Sequence, residues 1–120
     1  MKRAKLNVLL VAVVGFVCFV GCDWDDPSRA TLEPLVESRA TRQEVAAKLG
    51  SGYTWYGVAG DPEHAALEQF LRREPVEEYK PVRAAVDAGR RIMFYTSAWQ
   101  QTWLFFDHSD CLVGYWFNTQ

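Results

Sequence analysis

The sequence lacks the short motifs that usually mark an enzyme. It contains no G-x-S-x-G turn for a nucleophilic serine and no glycine-rich loop that could cradle a phosphate. Asp107, His108 and Asp110 lie close together, but these are ordinary turn residues, and no second cluster completes the three or four ligands of a metal site. The sequence therefore predicts a protein that is not an enzyme, with no catalytic residue, no metal and no cofactor.

The sequence also lacks an apolar run long enough to cross a membrane easily. Its longest one, from Leu6 to Gly21, follows Lys2, Arg3 and Lys5. As a helix rising ~1.5 Å per residue, these 16 residues would span roughly 24 Å, which is less than the ~30 Å of a hydrocarbon core. A basic segment followed by a short apolar run is typical of a signal peptide.

The apolar run ends at a cysteine that is followed at once by acidic residues. The segment FVGC, at 19–22, resembles a bacterial lipobox, so we expect a lipoprotein signal peptide at 1–21 and a lipid on Cys22. Residues 22–30 would then form a tether. An uncleaved anchor helix and ordinary signal cleavage are the alternatives. All three place the rest of the chain outside the cytoplasm, and the lipid would hold it in the cell envelope, facing the periplasm from the inner or the outer membrane.

Positive charge is scarce once the predicted signal peptide is removed. The 99 residues from Cys22 onward contain 10 lysines and arginines and 15 aspartates and glutamates, which is a net charge of −5. An acidic surface argues against nucleic acid as a partner and against electrostatic attachment to anionic lipids. A chain of this length is expected to form one small domain, at 31–120.

Cysteine is also scarce. Of the three, Cys18 would leave with the signal peptide and Cys22 would become a thioether, so Cys111 has no partner and a disulfide scaffold is excluded. Because Cys111 begins the apolar run CLVGYWF, we expect its thiol to be buried in the core.

Caps and apolar spacing predict helical segments at 31–38, 42–49, 62–73 and 80–88. The second has the strongest signal, because Thr41 and Glu44 have the spacing of a capping box. Val45 and Leu49 make its apolar face, which should pack under a sheet. His64 lies in the first turn of the third helix, where we expect it to be exposed.

The C-terminal third is aromatic and β-branched, which predicts antiparallel strands within 91–99, 102–107 and 111–119. Turns within 97–101 and at 108–110 would join them. The segment GYTWYGV, at 52–58, is a short strand or an extended loop. The predicted fold class is therefore α+β: short N-terminal helices packed on one face of a C-terminal three-stranded antiparallel sheet, with a helical insertion at about 51–90.

These strands carry apolar side chains on both faces. If side chains alternate strictly, Trp103 and Phe105 lie on one face of the sheet and Leu104 and Phe106 on the other. In the last strand, Val113, Tyr115 and Phe117 then share one face, and Leu112 and Trp116 share the opposite one. Antiparallel sheets often leave one face wet. Either the helices and the 51–90 segment together cover both faces, or one aromatic face is a binding surface.

The segment WQQTW supplies the candidate interaction residues, which are Trp99, Gln100, Gln101 and Trp103. Exposed tryptophan beside polar side chains is typical of a protein-interaction hot spot. Two other interpretations are open: the tryptophans could cap the edge of the core, or they could rest at a membrane interface.

The segment TRQEVAAKLG, at 41–50, looks like the T-x-x-x-V-x-x-x-L-G signature of SmpA/OmlA-type small envelope lipoproteins, and WLFFDHSDCLVGYW, at 103–116, looks like the last hairpin of that family. The resemblance implies a lipobox, two short helices and a C-terminal three-stranded sheet. One family member is a minor lipoprotein subunit of the β-barrel assembly machine. The chain departs from the family at Arg39-Ala40, at Gly52 and in the length of 51–90, so the match covers about half of the predicted mature chain.

Together these features predict a lipid-anchored bacterial envelope lipoprotein that acts as a non-catalytic protein-interaction module. The resemblance implies a role in envelope or outer-membrane protein assembly. Its partners would be the membrane, through the lipid anchor, and another envelope protein. The alternative is a lipid-anchored inhibitor or small-ligand-binding protein that uses the aromatic sheet face.

Overall fold

The computed structural model describes residues 27–119. Its helices are α1 (Arg29–Glu37), α2 (Arg42–Leu49), α3 (His64–Arg73) and α4 (Lys80–Asp87). Its strands are β1 (Thr54–Gly57), β2 (Arg91–Thr96), β3 (Gln100–Phe106) and β4 (Leu112–Thr119). The predicted signal peptide at 1–21 and the predicted lipidation site Cys22 lie outside the described residues. Helix α1 begins inside the predicted tether, because Ser28 accepts a hydrogen bond from the Thr31 amide and caps the helix there.

The strands described here form one antiparallel sheet in the order β1-β2-β3-β4. The α+β class is confirmed, but the prediction of three strands is wrong. The additional strand is β1, from the segment 52–58, in which Trp55 pairs with Met93 of β2. Strands β1 and β4 are consequently the two edges of the sheet.

Helices α1 and α2 cover one face of the sheet. Leu32 of α1 and Val45 of α2 are fully buried against Met93 and Leu104 of the strands. Leu49 is half-buried and packs on the same cluster. The prediction that the Val45–Leu49 face of α2 packs under the sheet is confirmed.

The start of α2 is built by local hydrogen bonds. The Thr41 hydroxyl accepts a hydrogen bond from the Glu44 amide at 3.2 Å, and the Glu44 carboxylate accepts one from the Thr41 amide at 2.8 Å. Two amides that the helix leaves unpaired are therefore satisfied within four residues. The capping box and the bounds 42–49 are both confirmed.

Helices α3 and α4, which make up the predicted insertion, cover the opposite face. Leu67 of α3 and Val82 of α4 are fully buried, and they pack with Ile92, Trp103 and Phe105 of the sheet. The expectation of helices on one face holds only for the N-terminal pair. The predicted alternative, in which the helices and the 51–90 segment together cover both faces, is confirmed, because the described domain has a helix pair on each side of the sheet. Both sheet faces are apolar, so each needs a cover that removes it from water.

A bulge in β4 changes which of its side chains share a face. Phe105 pairs with Gly114 and Phe106 pairs with Leu112, so Val113 is an extra residue between the two pairs. As a result Leu112 lies on the face of α1 and α2, and Val113 lies on the face of α3 and α4. The prediction from strict alternation is wrong for these two residues and correct for the rest of the strand.

The turn between β3 and β4 is organised by one carboxylate. Asp107 Oδ1 accepts hydrogen bonds from the amides of Ser109 (2.8 Å) and Cys111 (3.0 Å), and Arg39 donates from Nη2 to Oδ2. The hydrogen bond from the Cys111 amide is the main reason why the pKa of the Asp107 carboxyl lies below its ordinary value. Burial acts in the opposite direction, and the Ser109 amide and the Arg39 guanidinium also lower the pKa.

Two single-residue predictions are wrong. The sequence predicts an exposed His64, but only 1% of it is exposed, because the first turn of α3 packs against the sheet. Its Nδ1 lies 3.5 Å from Glu68 Oε2, and neither ring nitrogen has a hydrogen-bond partner among the described residues. The sequence also predicts a buried Cys111, but the thiol is partly exposed, because Cys111 pairs with Thr41 at the outer edge of the sheet.

Candidate functional site

The hairpin between β2 and β3 ends in a turn at 97–99, within the predicted range. Ser97 builds this turn without glycine or proline. Its amide donates to the Gln100 carbonyl at 2.9 Å, and its hydroxyl accepts hydrogen bonds from the amides of Trp99 and Gln100, each at 3.2 Å. The turn therefore satisfies the backbone amides of Ser97, Trp99 and Gln100 by itself. Trp99 takes no part through its side chain, and 75% of it is exposed.

The two glutamines of the predicted interaction patch are engaged within the domain. Gln100 donates from Nε2 to the carbonyl oxygen of Pro27 at 2.9 Å and to the Thr102 hydroxyl at 3.0 Å. Gln101 Oε1 accepts from Trp103 Nε1 at 3.3 Å and from Asn118 Nδ2 at 3.2 Å. The Gln100 side chain ties β3 to Pro27, and the Gln101 side chain ties β3 to Asn118 of β4. Neither side chain can bind a partner without breaking these bonds.

Trp103 does not lie at the hairpin tip. It sits within β3, only 2% of it is exposed, and it belongs to the core beneath α3 and α4. Trp103 is the fourth residue of β3, and its side chain points to the sheet face that α3 and α4 cover. Trp99 lies in the turn before the strand. The two tryptophans that the sequence places in one patch are thus separated, and Trp99 alone remains as a surface anchor.

The hairpin end of the sheet is uncharged. No charged residue occurs from Ile92 to Phe106, or in Gly50–Tyr53 and Asn118–Thr119. The Tyr95 hydroxyl donates to the Gly50 carbonyl at 2.6 Å, which brings the end of α2 to this side. Burial first, and the nearby Tyr53 second, raise the pKa of the Tyr95 hydroxyl above its ordinary value.

The aromatic sheet face, which the sequence offers as a possible binding surface, is covered. Tyr56, Phe70 and Tyr79 surround Trp103, with ring centroids 5.9–6.3 Å from its own. Phe70 lies in α3 and Tyr79 directly precedes α4. The rings that would have contacted a ligand contact the helices instead.

Shallow surface grooves of the described domain lie beside its helices. One of about 560 Å³ lies between α1 and α2 and includes Leu35 and Lys48. Another, of about 270 Å³, lies between α4 and the sheet. Within 27–119 no group of three or more His, Cys, Asp or Glu side chains could hold a metal ion. No helix of that segment is both long and apolar enough to cross a membrane.

No protein-family model matches the chain, and no curated protein or solved structure matches it either.

Sequence reasoning missed two features of this region. The first is Pro27, which the Gln100 amide holds against the hairpin across 73 positions of sequence, a pairing that no local pattern signals. The second is that β4 forms an edge of the sheet described for 27–119. The signal for this edge was present, because the last strand of a meander lies at a sheet edge and 111–119 contains no charged residue.

Proposed function

We propose that this chain is a lipid-anchored lipoprotein of the bacterial cell envelope and that its domain is a non-catalytic protein-interaction module. The anchor is supported by the basic residues at 2–5, the apolar run at 6–21 and the position of Cys22 directly before acidic residues. Two acyl chains on one cysteine suffice for stable attachment, since each buried methylene contributes ~0.8 kcal/mol. A role in envelope or outer-membrane protein assembly rests on the SmpA/OmlA resemblance.

One observation carries the interaction part of the proposal: β4 is a long uncharged strand at the edge of the sheet. The segment 111–119 contains neither a charged residue nor a proline, which are the usual protections of an edge. Among the described residues the outer side of β4 is paired only at its start, where Leu112 donates to the Ala40 carbonyl at 2.8 Å and Cys111 pairs with Thr41. The remaining backbone groups on that side can pair with an added strand.

The groove beside α4 supports the same proposal. Val113 of the β4 bulge and the adjacent Gly114 line it, together with Phe105 and the small residues Ala84 and Ala85 of α4. In strand addition the main-chain hydrogen bonds provide affinity, and pockets for alternate side chains provide specificity. The partner is therefore an extended segment of an envelope protein with an apolar side chain that enters this groove.

The alternative function, a lipid-anchored inhibitor or small-ligand-binding protein, would use the aromatic sheet face. That face is covered by α3 and α4, and opening it would expose Trp103 and its neighbours to water. We therefore favour the protein-interaction module.

The anchor is tested by the intact mass of the protein extracted in detergent. We expect a chain that begins at Cys22 and carries a mass gain that corresponds to its diacylglyceryl group and any further acyl chain. Cys22→Ser removes the thiol that accepts the diacylglyceryl group, so the precursor should accumulate, and globomycin should have the same effect on the wild type. A chain that still begins at Met1 and is unchanged by Cys22→Ser would instead indicate an uncleaved anchor helix, and a soluble unlipidated chain would indicate ordinary secretion.

The interaction surface is tested by photocrosslinking in intact cells. A benzoylphenylalanine at position 116, in place of the half-buried Trp116 of β4, should crosslink to an envelope protein. The same residue in place of the exposed Gln69 of α3 is the control, and it should give no such adduct. Equal crosslinking at both positions, or none at 116, would contradict strand addition at β4. Recovery of a soluble enzyme would support the inhibitor alternative.

A further inference from the structure

We propose that the tip of the β2–β3 hairpin rests on the membrane surface, with the Trp99 indole in the interfacial layer of the bilayer. This inference rests on the proposed lipid anchor at Cys22. It assigns the exposed tryptophan to lipid rather than to a protein partner, and it fixes which end of the domain faces the membrane.

The start of the described chain lies against the hairpin. Gln100, which directly follows Trp99, donates to the Pro27 carbonyl at 2.9 Å. Five residue steps separate Pro27 from Cys22, and even a fully extended chain of that length reaches only roughly 17 Å. Whatever conformation these residues adopt, a lipid on Cys22 holds the hairpin tip close to the headgroups.

The charge distribution along the sheet favours the same orientation. The hairpin end carries no charged residue in β2 after Arg91 or in β3. The opposite end holds Asp107 and Asp110, and Arg91 Nε lies 3.1 Å from Asp110 Oδ1. Asp107 is likewise paired with Arg39, so the two carboxylates at that end are held in ion pairs. The hairpin end of the sheet, which has no charged side chain, is the end that can approach the bilayer without desolvating these ion pairs.

The exposed residue at the tip is chemically suited to this contact. Tryptophan has an apolar ring system and a polar N–H, and it is enriched where proteins meet the headgroup layer of a bilayer. The flanking residues Ser97, Ala98 and Gln100 are small or polar, so they can remain among the headgroups. Asp23, Asp25 and Asp26 of the tether cannot enter the hydrocarbon. The contact is therefore interfacial and shallow.

This orientation has a consequence for the partner surface. Strand β3 has seven residues and rises ~3.3 Å per residue, so the turn that contains Ser109 lies roughly 20 Å farther from the hairpin tip. With the tip on the membrane, β4 extends away from the bilayer, and its outer edge faces parallel to the membrane plane. An envelope protein in the same membrane could then add a strand to it.

Nitroxide labelling of the full-length lipoprotein, purified in detergent and reconstituted in vesicles of phosphatidylethanolamine and phosphatidylglycerol, tests the proposal. The label is attached at Ala98→Cys, or at Ser109→Cys as the control, in a Cys111→Ala background. Both positions are exposed in the domain. We expect the ratio of collision rates with oxygen and with a water-soluble nickel complex to be several-fold higher at 98 than at 109. Trp99→Ala should lower the ratio at 98, and Trp99→Tyr should largely preserve it.

The intact mass of the same samples separates the possible failures. A lipidated protein with equal, water-like ratios at 98 and 109 would overturn the membrane contact and leave the anchor in place. In that case Trp99 would be available to a protein partner. A sample without lipid on Cys22 would overturn the anchor and this proposal together.

Discussion

The indole of Trp103 packs against the ring of Phe94, with the two ring centroids 4.3 Å apart. Trp103 comes from β3 and Phe94 from β2, and the rings of Tyr56, Phe70 and Tyr79 complete the cluster from β1, α3 and the start of α4. This aromatic cluster joins the inserted helices to the sheet. It makes Trp103 a core residue and leaves Trp99 as the surface residue of the pair.

Substitutions at the two tryptophans should therefore have very different costs. Trp103→Ala should lower the free energy of unfolding by about 3–5 kcal/mol, because it removes a buried ring and leaves a cavity. Trp99→Ala should change it by less than about 0.5 kcal/mol, as is usual for exposed side chains. Urea denaturation of both variants at neutral pH provides the measurement. Similar losses for the two would mean that Trp99 also supports the fold.

The two sheet faces should unfold together, because both clusters are built on the same strands. Leu32→Ala removes a buried side chain beneath α1 and Leu67→Ala removes one beneath α3, and each should cost about 2–5 kcal/mol. Both variants should keep a single transition when followed by circular dichroism and by tryptophan fluorescence. Val76→Ala, at a position that is 73% exposed, is the control and should be close to neutral. A separate early transition in Leu67→Ala would show that α3 and α4 unfold independently.

The stability should depend on pH through Asp107. The folded state lowers the pKa of this carboxyl, chiefly through the Cys111 amide. The contribution of the Asp107 carboxylate to the free energy of unfolding is therefore fully present above the pKa of an aspartate in the unfolded chain, about 4. It is lost as the pH falls through the lower pKa of the folded state. Asp107→Asn should be less stable than the wild type at pH 7, and the difference should shrink in acid.

The control for this pH dependence is Asp87→Asn, at an exposed position at the end of α4. Denaturation at a series of pH values should give parallel curves for Asp87→Asn and the wild type. A constant difference between Asp107→Asn and the wild type from pH 7 to pH 3 would show that the charge of Asp107 is not responsible.

Gly57→Ala should be more harmful than Gly89→Ala. Both glycines have positive φ, +70° and +76° respectively, which costs an alanine roughly 1–2 kcal/mol. At Gly57 the added methyl group would also collide with the Asp61 carboxylate, which accepts a hydrogen bond from the Val58 amide at 3.2 Å. At Gly89 the space is open. Thermal unfolding of the two variants gives the comparison, and equal losses would mean that the Asp61 side chain moves aside at no cost.

The best sequence predictions are those whose cause is local. The capping box of Thr41 and Glu44 closes within four residues, and α2 has the predicted bounds. The turn at 97–99 likewise depends on one nearby serine. The prediction fails where a distant segment decides. His64, predicted to be exposed, is buried because α3 packs on the sheet. For the segment 52–58 the sequence left a strand and an extended loop open, and the pairing with β2 makes it a strand.

The sequence by itself determined the α+β class, the positions of the helices and the apolar character of both sheet faces. These follow from backbone preferences and from side-chain periodicity, which act over a few residues. Only the tertiary structure decided that the 51–90 segment covers the second face, that the bulge exchanges Leu112 and Val113 between faces, and that Trp103 is buried while Trp99 is exposed. It also decided that Pro27 lies beside the hairpin. Each of these depends on the pairing of residues far apart in the chain, which buries apolar surface that no single segment can bury alone.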